Sequence, residues 1–204
     1  MKKLNLPNRL TLSRIILFIP LLVLFILFGY FKDINENMNL IARTIILSLI
    51  LLVFIAAMIT DFLDGYYARK RKLVTDFGKL FDPIADKIIV TSTLIFLSVN
   101  NFMPIWVVVI FIVRDIFVDA FRILMAKNNI SVAASIWGKL KTIFQTIAII
   151  FIILFAIIGI YYKILWASWW NILLNNIPTY FALAFSIISG VLYFKKVKPF
   201  IKSK

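Results

Sequence analysis

Long apolar runs dominate the chain and divide it into segments of about the length that crosses a membrane. They cover residues 15–31, 40–60, 84–103, 104–126, 143–162 and 178–194. About 20 mainly apolar residues are enough for a helix to cross the hydrocarbon core of a bilayer, so each run predicts a transmembrane helix. Asn100, Asn101 and Pro104 separate the third run from the fourth and predict a tight turn there. The pattern therefore predicts an all-α integral membrane protein with six spans.

The flanks of these runs predict the organisation of the chain. No repeat or linker is visible, so we expect one domain over residues 1–204, with three parts in order: a short N-terminal interfacial helix within residues 1–14, the six spans of residues 15–194, and a basic cytoplasmic tail of residues 195–204. Pro83 lies near the start of the third predicted helix. We expect it in the first turn, where proline removes no intrahelical hydrogen bond.

The composition supports a membrane protein and excludes several kinds of chemistry. Hydrophobic residues make up 63% of the chain and charged residues 16%, whereas soluble domains have roughly 45–50% and 25%. The chain contains neither cysteine nor histidine. Disulfides, thiolate nucleophiles, Ser-His-Asp catalysis and zinc sites with Cys or His ligands are thereby excluded.

The net charge of +14 is distributed unequally between alternate loops. Lysine and arginine are concentrated in residues 2–14, 69–79, 127–141 and 195–204, while the other loops hold little beyond Lys32 and Lys163. By the positive-inside rule, both termini and the basic loops are predicted to be cytoplasmic. We attribute most of this charge to topology and to anionic lipid, and we expect no nucleic-acid partner.

The acidic residues other than Asp33 and Glu36 lie near the predicted cytoplasmic ends of the spans. A carboxylate at the centre of a spanning helix costs about 2.5–3.5 kcal/mol, so these residues must face a cation, a wet cavity or one another. Asp61 and Asp64 share one helical face, and Asp82 and Asp86 share a face of the next helix. The short connection between the helices is expected to bring the two faces together.

Four such carboxylates form a site with oxygen ligands only. This donor set suits Mg²⁺, Mn²⁺ or Ca²⁺, and it is large enough for two metals that assist phosphoryl transfer. Arg69 and the small residues Gly65 and Ala68 extend the first face and suit a diphosphate. The alternative is that the acids form salt bridges with the lysines of the loop.

The same positions resemble the signature of the CDP-alcohol phosphatidyltransferases, a family of six-span membrane enzymes. All eight defining positions are filled, namely Asp61, Asp64, Gly65, Ala68, Arg69, Gly78, Asp82 and Asp86. The resemblance implies that an alcohol displaces CMP from a CDP-linked lipid such as CDP-diacylglycerol. It implies two divalent cations, Mg²⁺ or Mn²⁺, on Asp61, Asp64, Asp82 and Asp86, with Asp86 also the general base. It further implies a homodimer and CDP-binding residues Asn8, Thr11, Gly65, Ala68, Arg69, Thr75 and Gly78.

Further segments resemble the branch of that family whose acceptor is glycerol 3-phosphate: residues 7–14, residues 114–122 and residues 138–145. Arg114 and Arg122 are eight residues apart on one face of the fourth helix, and two arginines in a cavity form an anion site. Lys139 and Lys141 are expected to close the same pocket on the acceptor phosphate. The alternative is that the lysines only set topology and that the arginines pair with aspartates of their own helix.

Two residues depart from that branch. Asp115 stands where we expect glutamate, and Asp119 stands where we expect a small or hydroxyl residue. Because Asp119 lies three residues before Arg122, it is expected to neutralise that arginine and to weaken the anion site.

Two other functions stay open on the sequence alone. The same chemistry with another acceptor, such as phosphatidylglycerol, an inositol compound or serine, keeps the four aspartates and changes the acceptor site. A cation transporter would use carboxylates as an ion path, but it needs them distributed through the depth of the membrane. Here they are concentrated at one predicted side.

Overall fold

A computed structural model describes residues 6–31, 36–71, 76–127, 136–161 and 169–201. These residues form the helices α1 (Leu6–Tyr30), α2 (Glu36–Arg71), α3 (Asp76–Val99), α4 (Ile105–Lys127), α5 (Ile136–Tyr161), α6 (Trp169–Asn175) and α7 (Ile177–Ile201). The chain divides into two compact units. The first unit comprises the described residues of Met1–Leu97 and Ile153–Leu165, and the second unit those of Ser98–Ile152 and Trp166–Lys204.

Among the described residues, four helical stretches are long and apolar enough to cross a membrane: Leu12–Tyr30, Leu40–Leu63, Ile136–Ile160 and Ile177–Pro199. The protein is therefore an integral membrane protein, as predicted. The third and fourth predicted spans are not among these four stretches. Among the described residues, the apolar stretch of α3 is Lys87–Val99, and α4 contains two arginines and two aspartates within its length. The total of six spans stays a prediction.

Several predicted boundaries differ from the observed helices. α1 runs without interruption from Leu6 to Tyr30, so a separate N-terminal interfacial helix is not confirmed. The prediction for Pro83 is wrong, because α3 begins at Asp76, seven residues earlier. The predicted basic tail is helical as far as Ile201, and the short helix α6 was not predicted.

In the first unit, α1 and α2 pack antiparallel around buried apolar side chains. An ion pair joins Arg14 near the start of α1 to Asp61 near the end of α2. At the other end of the two helices, the guanidinium of Arg43 lies 4.8 Å from the ring centre of Phe28. Phe96 of α3 contacts α1 through Phe28, with ring centres 5.2 Å apart. The core between these contacts includes Leu21, Leu47, Ile50 and Phe54.

In the second unit, α4 and α7 run in the same direction. Trp106 stacks on Tyr180 near the start of both helices, with ring centres 6.2 Å apart, and Arg122 contacts Tyr193 near their ends. α5 runs antiparallel to α7. Trp137 contacts Phe185, whereas Phe144, which comes later in α5, contacts Phe181, which lies one turn earlier in α7.

The predicted turn between the third and fourth helices is confirmed. α3 ends at Val99 and α4 begins at Ile105. Asn101 has a φ of 60°, a left-handed conformation that asparagine adopts more readily than most residues, and its N–H donates to the carbonyl of Ser98 at 3.0 Å. The Asn176 amide donates to the carbonyl of Phe102 at 2.9 Å and fastens the start of α7 to this turn.

Candidate active site

The signature positions lie on two uninterrupted helices. α2 carries Asp61 to Arg69 in its last three turns, and α3 carries Gly78 to Asp86 in its first three. The prediction that each acidic face belongs to one helix is therefore confirmed. Asp61 is the signature residue whose side chain is described. The convergence of the four carboxylates stays a prediction, because most of the predicted donor-site side chains lie outside the described part of the structure. These are the side chains of Asn8, Thr11, Asp64, Gly65, Ala68, Arg69, Gly78, Asp82 and Asp86, together with the whole of Thr75.

Asp61 is held by an arginine of α1. Nη1 of Arg14 donates to Oδ1 of Asp61 at 2.5 Å; the Arg14 side chain is 1% exposed and the Asp61 side chain 45% exposed. A guanidinium buried among apolar helices needs a counter-charge, and Asp61 supplies it. In the sequence, Arg14 belongs to the basic residues 2–14 and to the segment 7–14 that resembles the family, and neither feature indicates Asp61 as its partner.

The described side chains contain no group of three acidic residues that could hold a metal ion. Three of the four predicted ligands are outside that set, so this finding leaves the predicted metal site untested. What the structure does contribute is an Asp61 carboxylate that is almost half exposed although it is paired with Arg14.

Two of the four cations predicted for the acceptor site meet on Asp115. Lys141 donates from Nζ to both carboxylate oxygens of Asp115, at 3.0 and 2.7 Å. Arg114 donates from Nη1 to Oδ1 of Asp115 at 2.8 Å and from Nε to the carbonyl of Ser186 in α7 at 3.0 Å. Lys141 is 5% exposed, and its ammonium lies 5.6 Å from the ring centre of Phe111. We call Arg114, Asp115 and Lys141 the Asp115 cluster.

This cluster carries one net positive charge, from two cations and one carboxylate. The alternative that arginines of the fourth helix pair with its aspartates is confirmed for Arg114 and Asp115. The expected neutralisation of Arg122 by Asp119 stays a prediction. In the structure, Asp115 is a carboxylate that pairs with two of the predicted acceptor-site cations, Arg114 and Lys141. Sequence spacing alone gave no reason to join Asp115 to a lysine of another helix.

The other two predicted cations lie apart from the Asp115 cluster. Arg122 is exposed and donates from Nη2 to the hydroxyl of Tyr193 in α7 at 3.2 Å. It follows Arg114 by eight residues, which is a rise of about 12 Å along a helix. Lys139 is exposed in the first turn of α5. The structure thus joins Arg114 to Lys141 and joins Arg122 to Tyr193.

An apolar groove of about 420 Å³ lies between α4 and α7 and reaches Arg114 at one wall. Its lining includes Val113 and Phe117 of α4 and Ile187 and Val191 of α7. α7 is long and apolar enough to cross a membrane, and the groove places an apolar surface next to the cationic side chain of Arg114.

Comparison with known proteins identifies the family to which the chain is similar. The family model for CDP-alcohol phosphatidyltransferase matches residues 4–190. The chain is 36% identical to a CDP-diacylglycerol–glycerol-3-phosphate 3-phosphatidyltransferase of Mycoplasma genitalium over 94% of its length and 83% of the relative's. Proteins of the same name from Bacillus subtilis and Rickettsia typhi are also 36% identical, over 94% and 96% of the chain and 94% and 98% of their own lengths.

The apolar helices and these matches together define an integral membrane transferase. The match extends from before α1 into α7 and includes both signature helices. The chain belongs to the CDP-alcohol phosphatidyltransferase family, and the resemblance drawn from the eight signature positions is confirmed.

Proposed function

We propose that the protein transfers a phosphatidyl group from CDP-diacylglycerol to glycerol 3-phosphate and produces phosphatidylglycerophosphate and CMP in phospholipid biosynthesis. The observation that carries this proposal is the similarity, along 94–96% of the chain, to relatives whose names give this donor and this acceptor. The cationic side chains of α4 and α5 support glycerol 3-phosphate as the acceptor, because a phosphate-bearing alcohol needs an anion site.

The proposed reaction is a displacement at phosphorus. A hydroxyl oxygen of glycerol 3-phosphate forms a bond to the phosphorus that carries the diacylglycerol. The bond from this phosphorus to the oxygen that bridges it to the CMP phosphate breaks, and CMP leaves with the electron pair of that bond. Asp86 takes the proton of the attacking hydroxyl, which makes the oxygen a better nucleophile as the new bond forms.

The family uses divalent cations, and we propose Mg²⁺ or Mn²⁺ on Asp61, Asp64, Asp82 and Asp86. The donor set fits these ions, since carboxylate oxygens are the ligands that hard cations prefer. Bound there, they would neutralise the charge of the diphosphate and of the leaving CMP. Arg14 holds the Asp61 carboxylate in place, because its buried guanidinium donates a hydrogen bond from Nη1 to Oδ1 of Asp61.

We assign the acceptor phosphate to the cations of α4 and α5, namely Arg114, Arg122, Lys139 and Lys141. Arg122 and Lys139 are exposed and accessible to a soluble anion. The Asp115 cluster contributes one net positive charge. The cytidine diphosphate portion of the donor is proposed to bind to Asn8, Thr11, Gly65, Ala68, Arg69, Thr75 and Gly78.

The location and assembly of the enzyme complete the proposal. We place both termini and the active site on the cytoplasmic side, as the Lys/Arg distribution predicts. α4 and α7 run in the same direction, so their C-terminal ends point the same way, as this placement requires. The homodimer rests on the family resemblance alone.

An assay of acceptors tests the proposed function. The purified protein is supplied with CDP-diacylglycerol, Mg²⁺ or Mn²⁺, and one acceptor at a time, and the release of CMP is measured. We expect release with glycerol 3-phosphate. Release only with phosphatidylglycerol, an inositol compound or serine would contradict glycerol 3-phosphate as the acceptor but agree with the transfer reaction. Metal flux into liposomes without any CMP release would contradict the proposal that the protein is an enzyme.

Replacing Arg122 by alanine tests the acceptor site. We expect KM for glycerol 3-phosphate to rise by about 10- to 100-fold, since a charge-assisted hydrogen bond to a phosphate is worth about 1.5–3 kcal/mol. The metal dependence and KM for CDP-diacylglycerol should not change. Lys163→Ala removes a cation from a predicted outer loop and serves as the control. An unaltered KM in Arg122→Ala would remove Arg122 from the acceptor site.

A further inference from the structure

Tyr193 of α7 holds the side chain of Arg122 in two ways. Its hydroxyl accepts a hydrogen bond from Nη2 of Arg122 at 3.2 Å. Its ring lies under the guanidinium, with 5.2 Å from the guanidinium carbon to the ring centre. A cation over an aromatic face and a hydrogen bond to the phenol fix both the position and the tilt of the guanidinium plane.

The Tyr193 side chain is buried, whereas the Arg122 side chain is accessible. Tyr193 is 2% exposed and packs with Val118, Met125 and Val197 in an apolar cluster between α4 and α7. Arg122 is exposed at the surface of α4. A ring buried in this cluster therefore anchors a long side chain that would otherwise sample many conformations.

This arrangement suits the binding of an anion. A guanidinium has five N–H donors, and the hydrogen bond to the tyrosine uses one of them. Binding an anion to a mobile arginine costs the entropy of ordering that side chain, whereas an arginine already held by the protein loses less of it. The structure thus gives Arg122 the preorganisation that tight recognition of a phosphate needs.

We propose that Tyr193 is a positioning residue that orients Arg122 toward the phosphate of the acceptor. The proposal rests on the proposed function and adds to it a residue that the sequence did not single out. Tyr193 acts through Arg122 and takes no part in the transfer step. It sets the affinity for a phosphorylated acceptor and leaves the reaction at the donor phosphorus unaffected.

Tyr193→Phe tests this role because it removes the hydroxyl and keeps the ring in the apolar cluster. We expect KM for glycerol 3-phosphate to rise about 2- to 10-fold, as the loss of one hydrogen bond implies. The value of kcat, KM for CDP-diacylglycerol and the Tm in detergent should not change. Tyr180→Phe, the same substitution near the start of α7, is the matched control and should leave every constant unchanged.

A double-mutant cycle separates positioning from mere packing. If Tyr193 acts through Arg122, adding Tyr193→Phe to Arg122→Ala raises KM for glycerol 3-phosphate no further. Additive effects, an unchanged KM in Tyr193→Phe, or an equal loss for both substrates with a lower Tm would each overturn the proposal. The wild-type protein in the same series distinguishes the failures: no CMP release with glycerol 3-phosphate overturns the proposed function as well.

Discussion

Asp86→Asn is expected to lower kcat by about 10²- to 10⁴-fold while CDP-diacylglycerol still binds. A general base contributes a factor of this size because it accepts the proton as the nucleophile attacks. The asparagine amide cannot accept that proton, although its oxygen can still face a cation. The measurement is CMP release under saturating substrates, combined with retention of labelled CDP-diacylglycerol by the purified variant.

Glu36→Gln provides the matched control for this experiment. It is the same acid-to-amide change, placed at the first residue of α2, some 25 residues before Asp61. We expect its kcat to equal that of the wild-type protein. A near-normal kcat in Asp86→Asn would reject Asp86 as the base, and a complete loss of donor binding would assign it mainly to the metals.

The apolar runs predicted where helices lie better than where they end. They record the length of chain that is buried in lipid, whereas the helix is held by backbone hydrogen bonds that continue into polar surroundings. α2 therefore extends to Arg71 beyond an apolar run that ends at residue 60. α7 likewise continues to Ile201 through the basic residues that were predicted as a tail.

Chemistry that depends on spacing within one helix was predictable. The signature positions of α2 and α3 follow the helical repeat, and the family match confirms what they resemble. Contacts between helices were not predictable in this way. Asp61 meets Arg14 from 47 residues away, and Arg122 meets Tyr193 from 71 residues away. Such partners are selected by packing, which the repeat within a single helix does not encode.

The Asp115 cluster illustrates how this limits the reading of charges. The sequence suggested that Asp119 weakens an anion site by neutralising Arg122, with pairing between the arginines and aspartates of the fourth helix as the alternative. In the structure, Asp115 bonds a lysine and an arginine from different helices. A single carboxylate therefore holds a buried lysine and a partly buried arginine together, and we expect its removal to lower the stability of the second unit.

Asp115→Asn is accordingly expected to destabilise the protein by about 3–5 kcal/mol, the cost of breaking a buried ion pair by removing one of its charges. Lys141 is 5% exposed and cannot reach water easily once the carboxylate is removed. For a protein of this size, such a loss lowers the Tm by roughly 6–20 °C. The measurement is thermal unfolding in detergent, followed by the fluorescence of the native tryptophans.

Two companion variants show whether charge is the cause. Asp115→Glu keeps the carboxylate, and its Tm should stay within a few degrees of the wild-type value because a longer acid can still pair with both cations. Asp115→Asn combined with Lys141→Met removes one charge of each sign and should recover much of the lost Tm, since a buried apolar side chain replaces an ammonium that has lost the Asp115 carboxylate. If Asp115→Asn melts at the wild-type temperature, or if the double variant melts lower still, the buried charges of the Asp115 cluster do not hold α4 and α5 together.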